Sequence, residues 1–81
     1  MKKLLEYISR SLTENEEIQV QVQEQDGAKA YTIVAPKEVM GILIGKEGKT
    51  IRAIRALARA RAIVDQEKVF INLLEKEAAQ T

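Results

Sequence analysis

The 81-residue sequence predicts one α+β domain with the element order αββααβ. Three observations point to it. Apolar residues recur at helical spacing near the start and again over residues 49–63, they alternate strictly over 17–25, a last strand-like run covers 68–74, and turn chemistry stands at Asp26-Gly27 and Gly45-Lys46-Glu47-Gly48. A chain this short buries only a little over ~60% of its unfolded surface, so it can build one core and not two. Its hydrophobic fraction of 46% against a charged fraction of 31% is that of a soluble folded domain rather than a disordered or membrane-embedded chain.

The first helix rests on Leu4, Leu5, Ile8 and Leu12, a stripe expected to pack on the core, with Lys2, Lys3, Glu6, Ser9 and Arg10 between them. A membrane-surface helix would need a wider and more basic face. Ile18, Val20 and Val22 then alternate with Gln19, Gln21 and Gln23, a half-buried strand from Glu17 to Gln25. Asp26-Gly27 suits a type I′ hairpin turn, whose two central residues both need positive φ. The returning strand, about Lys29 to Ala35, puts Ala30, Thr32 and Val34 on one side and Tyr31, Ile33 and Ala35 on the other.

Pro36 fits the first turn of a short helix to Leu43, with Val39, Met40 and Leu43 inward and Gly41 lowering its stability. A longer helix follows over Lys49 to Ile63, with Ile51, Ile54, Leu57, Ala58 and Ala62 on the core arc. A last strand, Lys68 to Leu74, sets Val69, Ile71 and Leu73 against Phe70, Asn72 and Leu74. The ending EKEAAQT is polar, and residues 77–81 are expected to form a frayed tail. Tyr31, Ile33 and Phe70 could share the sheet face away from the helices as an exposed apolar cluster, or only some of them are exposed, since a shift of one residue turns every side chain over. Lying far from the glycine loop, they are poorly placed as base-stacking platforms.

Composition excludes several function classes. There is no cysteine and no histidine, which removes disulfides, thiolate metal sites and the usual general base. Glu14, Glu16, Glu17, Asp65 and Glu67 offer no carboxylate beside an apolar pocket, and the glycine loop lacks the longer spacing of a nucleotide-hydrolysing P-loop. No enzyme and no cofactor is expected. No run approaches the ~18 apolar residues of a membrane span. Glu6 and Arg10 interrupt what would otherwise read as a signal peptide, so a cytoplasmic location is expected.

The net charge of +1 conceals a segregation along the chain. Residues 1–36 sum to −2, residues 37–61 to +5 and residues 62–81 to −2, so the positive charge gathers around the two glycines. In the loop they bracket, a missing Cβ lets a phosphate approach the main chain, and the following helix start presents the positive end of its dipole. Lys46 and Lys49 favour an anion there and Glu47 opposes it. At about 100° per residue, Lys49, Arg52, Arg55 and Arg59 form one cationic stripe, with Arg61 off it.

A G-x-x-G pair alone is a weak signal, but VAPKEVMGILIGKEGKTIRAIR over residues 34–55, set within αββααβ, resembles the KH domain in its type II arrangement. The resemblance covers nearly the whole chain and extends to the small bacterial single-domain KH proteins of the KhpA type. It implies a KH domain over residues 1–76, a mixed three-stranded sheet with helices on one face, and an RNA groove between the glycine loop and the strand beside it. Carried over by position, Gly45, Lys46, Glu47 and Gly48 would hold the backbone of about four unpaired nucleotides. Ile44 and Ile51 would line or support an apolar floor, or simply pack in the core. Lys49 and Arg52, in the first turns after the loop, are the stronger candidates for phosphate contacts, and Arg55 and Arg59 lie further along.

As partners the resemblance implies single-stranded RNA, a homodimer, and pairing with a larger KhpB/Jag-type KH protein, in RNA regulation and cell elongation. Ile42, where such proteins often carry a cation, and Glu47 both depart from the pattern and lower the charge of the clamp. A competing reading is a protein-interaction adaptor. A helix-turn-helix DNA binder is a third, but its recognition helix would want base-reading polar residues where this one has arginines and alanines.

Overall fold

Helix α1 spans Lys2–Thr13 and ends where Glu14 turns into the left-handed region, its amide donating to Arg10 O. In the computed structural model, which describes residues 1–76, it is followed by β1 (Gln19–Gln25), β2 (Ala28–Pro36), α2 (Lys37–Ile44), a 3₁₀ turn (Lys46–Gly48), α3 (Lys49–Asp65) and β3 (Lys68–Lys76). This αββααβ order is that of the type II KH fold. The expected tail at 77–81 lies outside the described residues.

The sheet order is β1-β2-β3, antiparallel between β1 and β2 and parallel between β2 and β3, hence mixed. Gln25 pairs with Ala28 across a two-residue turn in which Asp26 and Gly27 both have positive φ (53° and 78°), as a type I′ hairpin requires. The parallel pair is connected through α2 and α3, since a crossover needs a dozen residues or more. Pro36 caps α2 rather than occupying its first turn, with φ −60° and ψ 152° ending the strand and leaving no N–H to satisfy.

All three helices pack on one face of the sheet. Val20, Tyr31, Ile33 and Ile71 meet Leu5, Val39, Leu43, Ile51, Ile54 and Ala58 in a single core. Leu5, Ile18, Ile33, Leu43 and Ile54 are completely buried, each worth roughly 1.5–3 kcal/mol relative to exposure. Arg10 ties α1 to the sheet, its Nε and Nη2 donating to Ile18 O at 3.1 and 2.9 Å. Lys29 Nζ meets Glu67 Oε2 at 3.1 Å and holds the α3–β3 turn against β2. No helix of the described residues is long and apolar enough to cross a membrane.

Two expectations fail here, each for a geometric reason, and the choice between two readings of Tyr31, Ile33 and Phe70 is decided in favour of partial exposure. Register places Val20 opposite Ile33 and Tyr31 opposite Ile71, so Tyr31 and Ile33 belong to the helix-covered face and only Phe70 stands exposed on the other. On α1 the buried line is Leu5 and Ser9, four apart, while Leu4 and Leu12 stay exposed at its flanks. On α3 Leu57 is 55% exposed, because it lies about 100° around the helix from the centre of the arc that Ile51, Ile54, Ala58 and Ala62 bury. Val22 shares the core face with Tyr31 but is exposed near the hairpin end, beyond the helix layer.

Candidate nucleic-acid interface

The chain from Ile44 to Thr50 makes its turn with three residues of positive φ. Gly45 adopts φ 76°, ψ 170°, a region essentially closed to side-chain-bearing residues. Glu47 (φ 57°, ψ 26°) and Gly48 (φ 74°, ψ 16°) are both left-handed. The turn is internally bonded, with Gly45 N donating to Gly41 O at 2.9 Å and Gly48 N to Gly45 O at 3.1 Å. It therefore has a defined shape before any ligand arrives.

The two glycines do different things. A Cβ on Gly45 would collide with the side chain and amide nitrogen of Thr50, so this glycine lets α3 fold back closely on the end of α2. A Cβ on Gly48 would meet nothing within 4 Å. Gly48 keeps one side of the main chain bare toward open space, directly at the start of α3, where no side-chain cap is made and the helix dipole is positive.

The sequence-predicted cations start at this point and run on along α3. Lys46, Lys49, Arg52 and Arg59 are exposed, and among the described residues neither they nor Arg55 form an ion pair. Arg61, off the stripe, is engaged by Asp65 at 3.0 Å one turn later. Glu47 is exposed inside the loop and is the carboxylate that lowers its positive charge. Arg55 differs from the rest, for its Nε donates to Ile71 O at 3.2 Å, clipping α3 to the outer edge of β3. Ile51 is 7% exposed and lies in the core, whereas Ile44 is 40% and Ile42 47% exposed on the surface beside the loop. Among the described residues no cluster of acidic groups could hold a metal ion.

A family profile described as KhpA/KhpB, KH domain matches residues 2–73. The chain belongs to the KhpA/KhpB KH-domain family. A KH-domain family is not an enzyme family. Among its similar relatives, a protein of Thermotoga maritima is 41% identical over 91% of this chain and 99% of its own length. One from Clostridium acetobutylicum is 36% identical over 91% of this chain and 100% of its own, and one from Chlamydia trachomatis 37% over 94% and 99%. All three carry the name RNA-binding protein KhpA.

In this KhpA/KhpB-type domain, Thr50 escapes sequence reasoning altogether, and for Glu47 and Arg55, both candidates from the sequence, the structural role does. Thr50 sets the requirement for Gly45, Glu47 holds a left-handed conformation, and Arg55 bonds the β3 edge. Glu47 could have been suspected from its place between two glycines. The other two depend on contacts that no local pattern announces.

Proposed function

We propose that this chain binds unpaired RNA, with Gly45, Lys46, Glu47 and Gly48 clamping the sugar-phosphate backbone of about four nucleotides. The observation that carries the reading is the bare main chain at Gly48, held in shape by Gly45 against Thr50 and flanked by Lys46, Lys49 and Arg52, which form no ion pair among the described residues. Lys46, Lys49 and Arg52 would neutralise phosphates as the backbone leaves the loop. Ile44 would offer exposed apolar surface under the bases, with Ile51 supporting it from the core, and Arg55 would sit at the strand edge where bases end. Three neutralised phosphates give a slope of log affinity against log salt near −2, taking ~0.7 per contact for single strands. The RNA-binding names of the relatives support the same reading, and a cytoplasmic RNA chaperone or post-transcriptional regulator is the corresponding role. A link to cell elongation rests on the family resemblance.

Filter binding to unpaired RNA tests this. Replacing Lys46 and Glu47 by aspartate should abolish binding with the circular dichroism unchanged, and an unaltered affinity would refute the clamp.

One further observation favours self-association, or pairing with a larger KhpB/Jag-type KH protein, alongside RNA binding. On α3, opposite the core, Ala53, Leu57, Ala60 and Val64 recur at spacings of 4, 3 and 4, with Leu57 55% and Val64 75% exposed and Ile63 beside them. That is the spacing of a helix seam that packs on another helix. Two grooves on one strand would offset the small footprint of each. Sedimentation should show a concentration-dependent dimer that Leu57→Glu dissociates without unfolding the chain, and a wild type monomeric at all concentrations would refute the homodimer.

A further inference from the structure

Phe70 stands 51% exposed on the open face of the sheet, on the edge strand β3. Its register partner on β2 is Ala30, too small to cover the ring. The ring separates two hollows. On one side a cavity of about 230 Å³ lies between β3 and α3, walled by Phe70 and Asn72 and by Arg55 and Arg59 of the cationic stripe. On the other, about 310 Å³ of open trough is floored by Ala28 and Ala30 and bounded by Gln23 and Lys68, with Asp26 at its far end. Lys68 Nζ hangs 5.8 Å from the ring centroid.

We infer that Phe70 is a base-stacking platform for unpaired RNA that continues past the four-nucleotide clamp, over the β3 edge and onto the open sheet face. The inference rests on the RNA reading of the glycine loop and extends it. Continuity supports it, because the stripe that starts at Lys49 beside the loop ends at Arg59, whose cavity Phe70 also lines. Arg59 follows Lys49 by ten residues, ~15 Å along the helix axis, and the ring stands past the end of that stripe on the open face of β3, beyond the strand edge at Arg55 where the clamped bases end. The chemistry matches a nucleotide. The half-exposed ring has Arg55 and Arg59 lining the hollow on one side and the Lys68 ammonium over it on the other, cations that suit phosphates, and the Gln23 and Asn72 amides can pair with base edges. A protein partner would instead want a contiguous apolar patch, whereas Leu74, the other large exposed apolar residue of β3 on this face, stands four residues from Phe70 with Asn72 between them, and Lys68 and Gln23 border the ring. Phe70 is therefore not excluded from stacking by its distance from the loop, since the arginines of α3 bridge that distance.

Fluorescence anisotropy with labelled unpaired RNAs of four and ten nucleotides separates the two readings. The wild type should bind the longer RNA more tightly. Phe70→Ala should weaken the ten-nucleotide complex by roughly 5- to 150-fold, the range for loss of one stacked base, and leave the four-nucleotide complex unchanged. Phe70→Trp should retain tight binding and, in a chain with no other tryptophan, report the longer RNA alone by quenching of its emission. An unchanged ten-nucleotide affinity in Phe70→Ala overturns the inference, as does an equal loss on both RNAs. So does a change of oligomeric state without a change in RNA affinity, which would assign the face to a protein. Failure of the wild type to bind the shorter RNA refutes the clamp, and failure to bind either RNA refutes both.

Discussion

Replacing each loop glycine by alanine should have unequal consequences, and the inequality follows from the geometry. At Gly45 the side-chain-bearing residue is forced into a φ/ψ region that costs ~1–3 kcal/mol. Its Cβ also drives into Thr50, an overpacking of ~1–3 kcal/mol. The stiffer unfolded chain returns ~0.4–1 kcal/mol, so the net loss is ~1–5.5 kcal/mol, with a mid-range of ~3 kcal/mol. At Gly48 the left-handed backbone costs ~1–2 kcal/mol, nothing obstructs the methyl, and the same return leaves ~1 kcal/mol. With a urea dependence of ~1 kcal/mol/M for a chain this small, the midpoint should fall by about 3 M at mid-range for Gly45→Ala and about 1 M for Gly48→Ala. RNA affinity, measured where both variants remain folded, should show the Gly48 change clearly, because its methyl covers the bare approach to the main chain. Equal midpoint shifts, or the larger shift at Gly48, would refute the assignment of a packing role to one glycine and an access role to the other.

Other consequences are as open to measurement. Ser9 is completely buried and its hydroxyl finds no hydrogen-bond partner among the described residues, so Ser9→Ala should leave stability unchanged or raise it by ~1 kcal/mol in urea unfolding, since it removes an unsatisfied polar group. Burial raises the Tyr31 hydroxyl above its ordinary pKa, despite the opposing charge of Lys29, and the hydrogen bond and charge of Glu67 raise Lys29. Both groups hold their protons more tightly when folded. Their contribution is thus complete below about pH 10 and is lost as pH rises through the folded values, so unfolding midpoints should fall in alkali and Tyr31→Phe should flatten the fall in part.

The fold was largely legible because its decisive signals are local. Asp26-Gly27 names a turn with two positive φ values whatever surrounds it, and the alternation of Ile18, Val20 and Val22 needs only its own strand. Which face of the sheet the helices cover is not local. The alternation in β2 separates Tyr31, Ile33 and Ala35 from Ala30, Thr32 and Val34, but only pairing with Val20 and Ile71 shows that the first set is inside. Leu57 falls outside the buried arc, which the sequence does not announce because a helix of alternating alanines and arginines gives a broad apolar arc with no sharp edge. In the candidate site, four consecutive residues and a stripe of one helix could be read in order along the chain. The contacts of Gly45 with Thr50 and of Arg55 with Ile71 join separate segments, and only the folded backbone brings them together.

The central claim is that the loop from Gly45 to Gly48 contacts the RNA backbone. Titrating an isotope-labelled sample with a four-nucleotide unpaired RNA and following backbone amide resonances tests it most directly. The account predicts the largest shifts at Lys46, Glu47, Gly48 and Lys49, with smaller ones at Ile44 and Arg52 and none on α1. Shifts confined to α1 or the hairpin, or an undisturbed loop with saturating RNA, would contradict it.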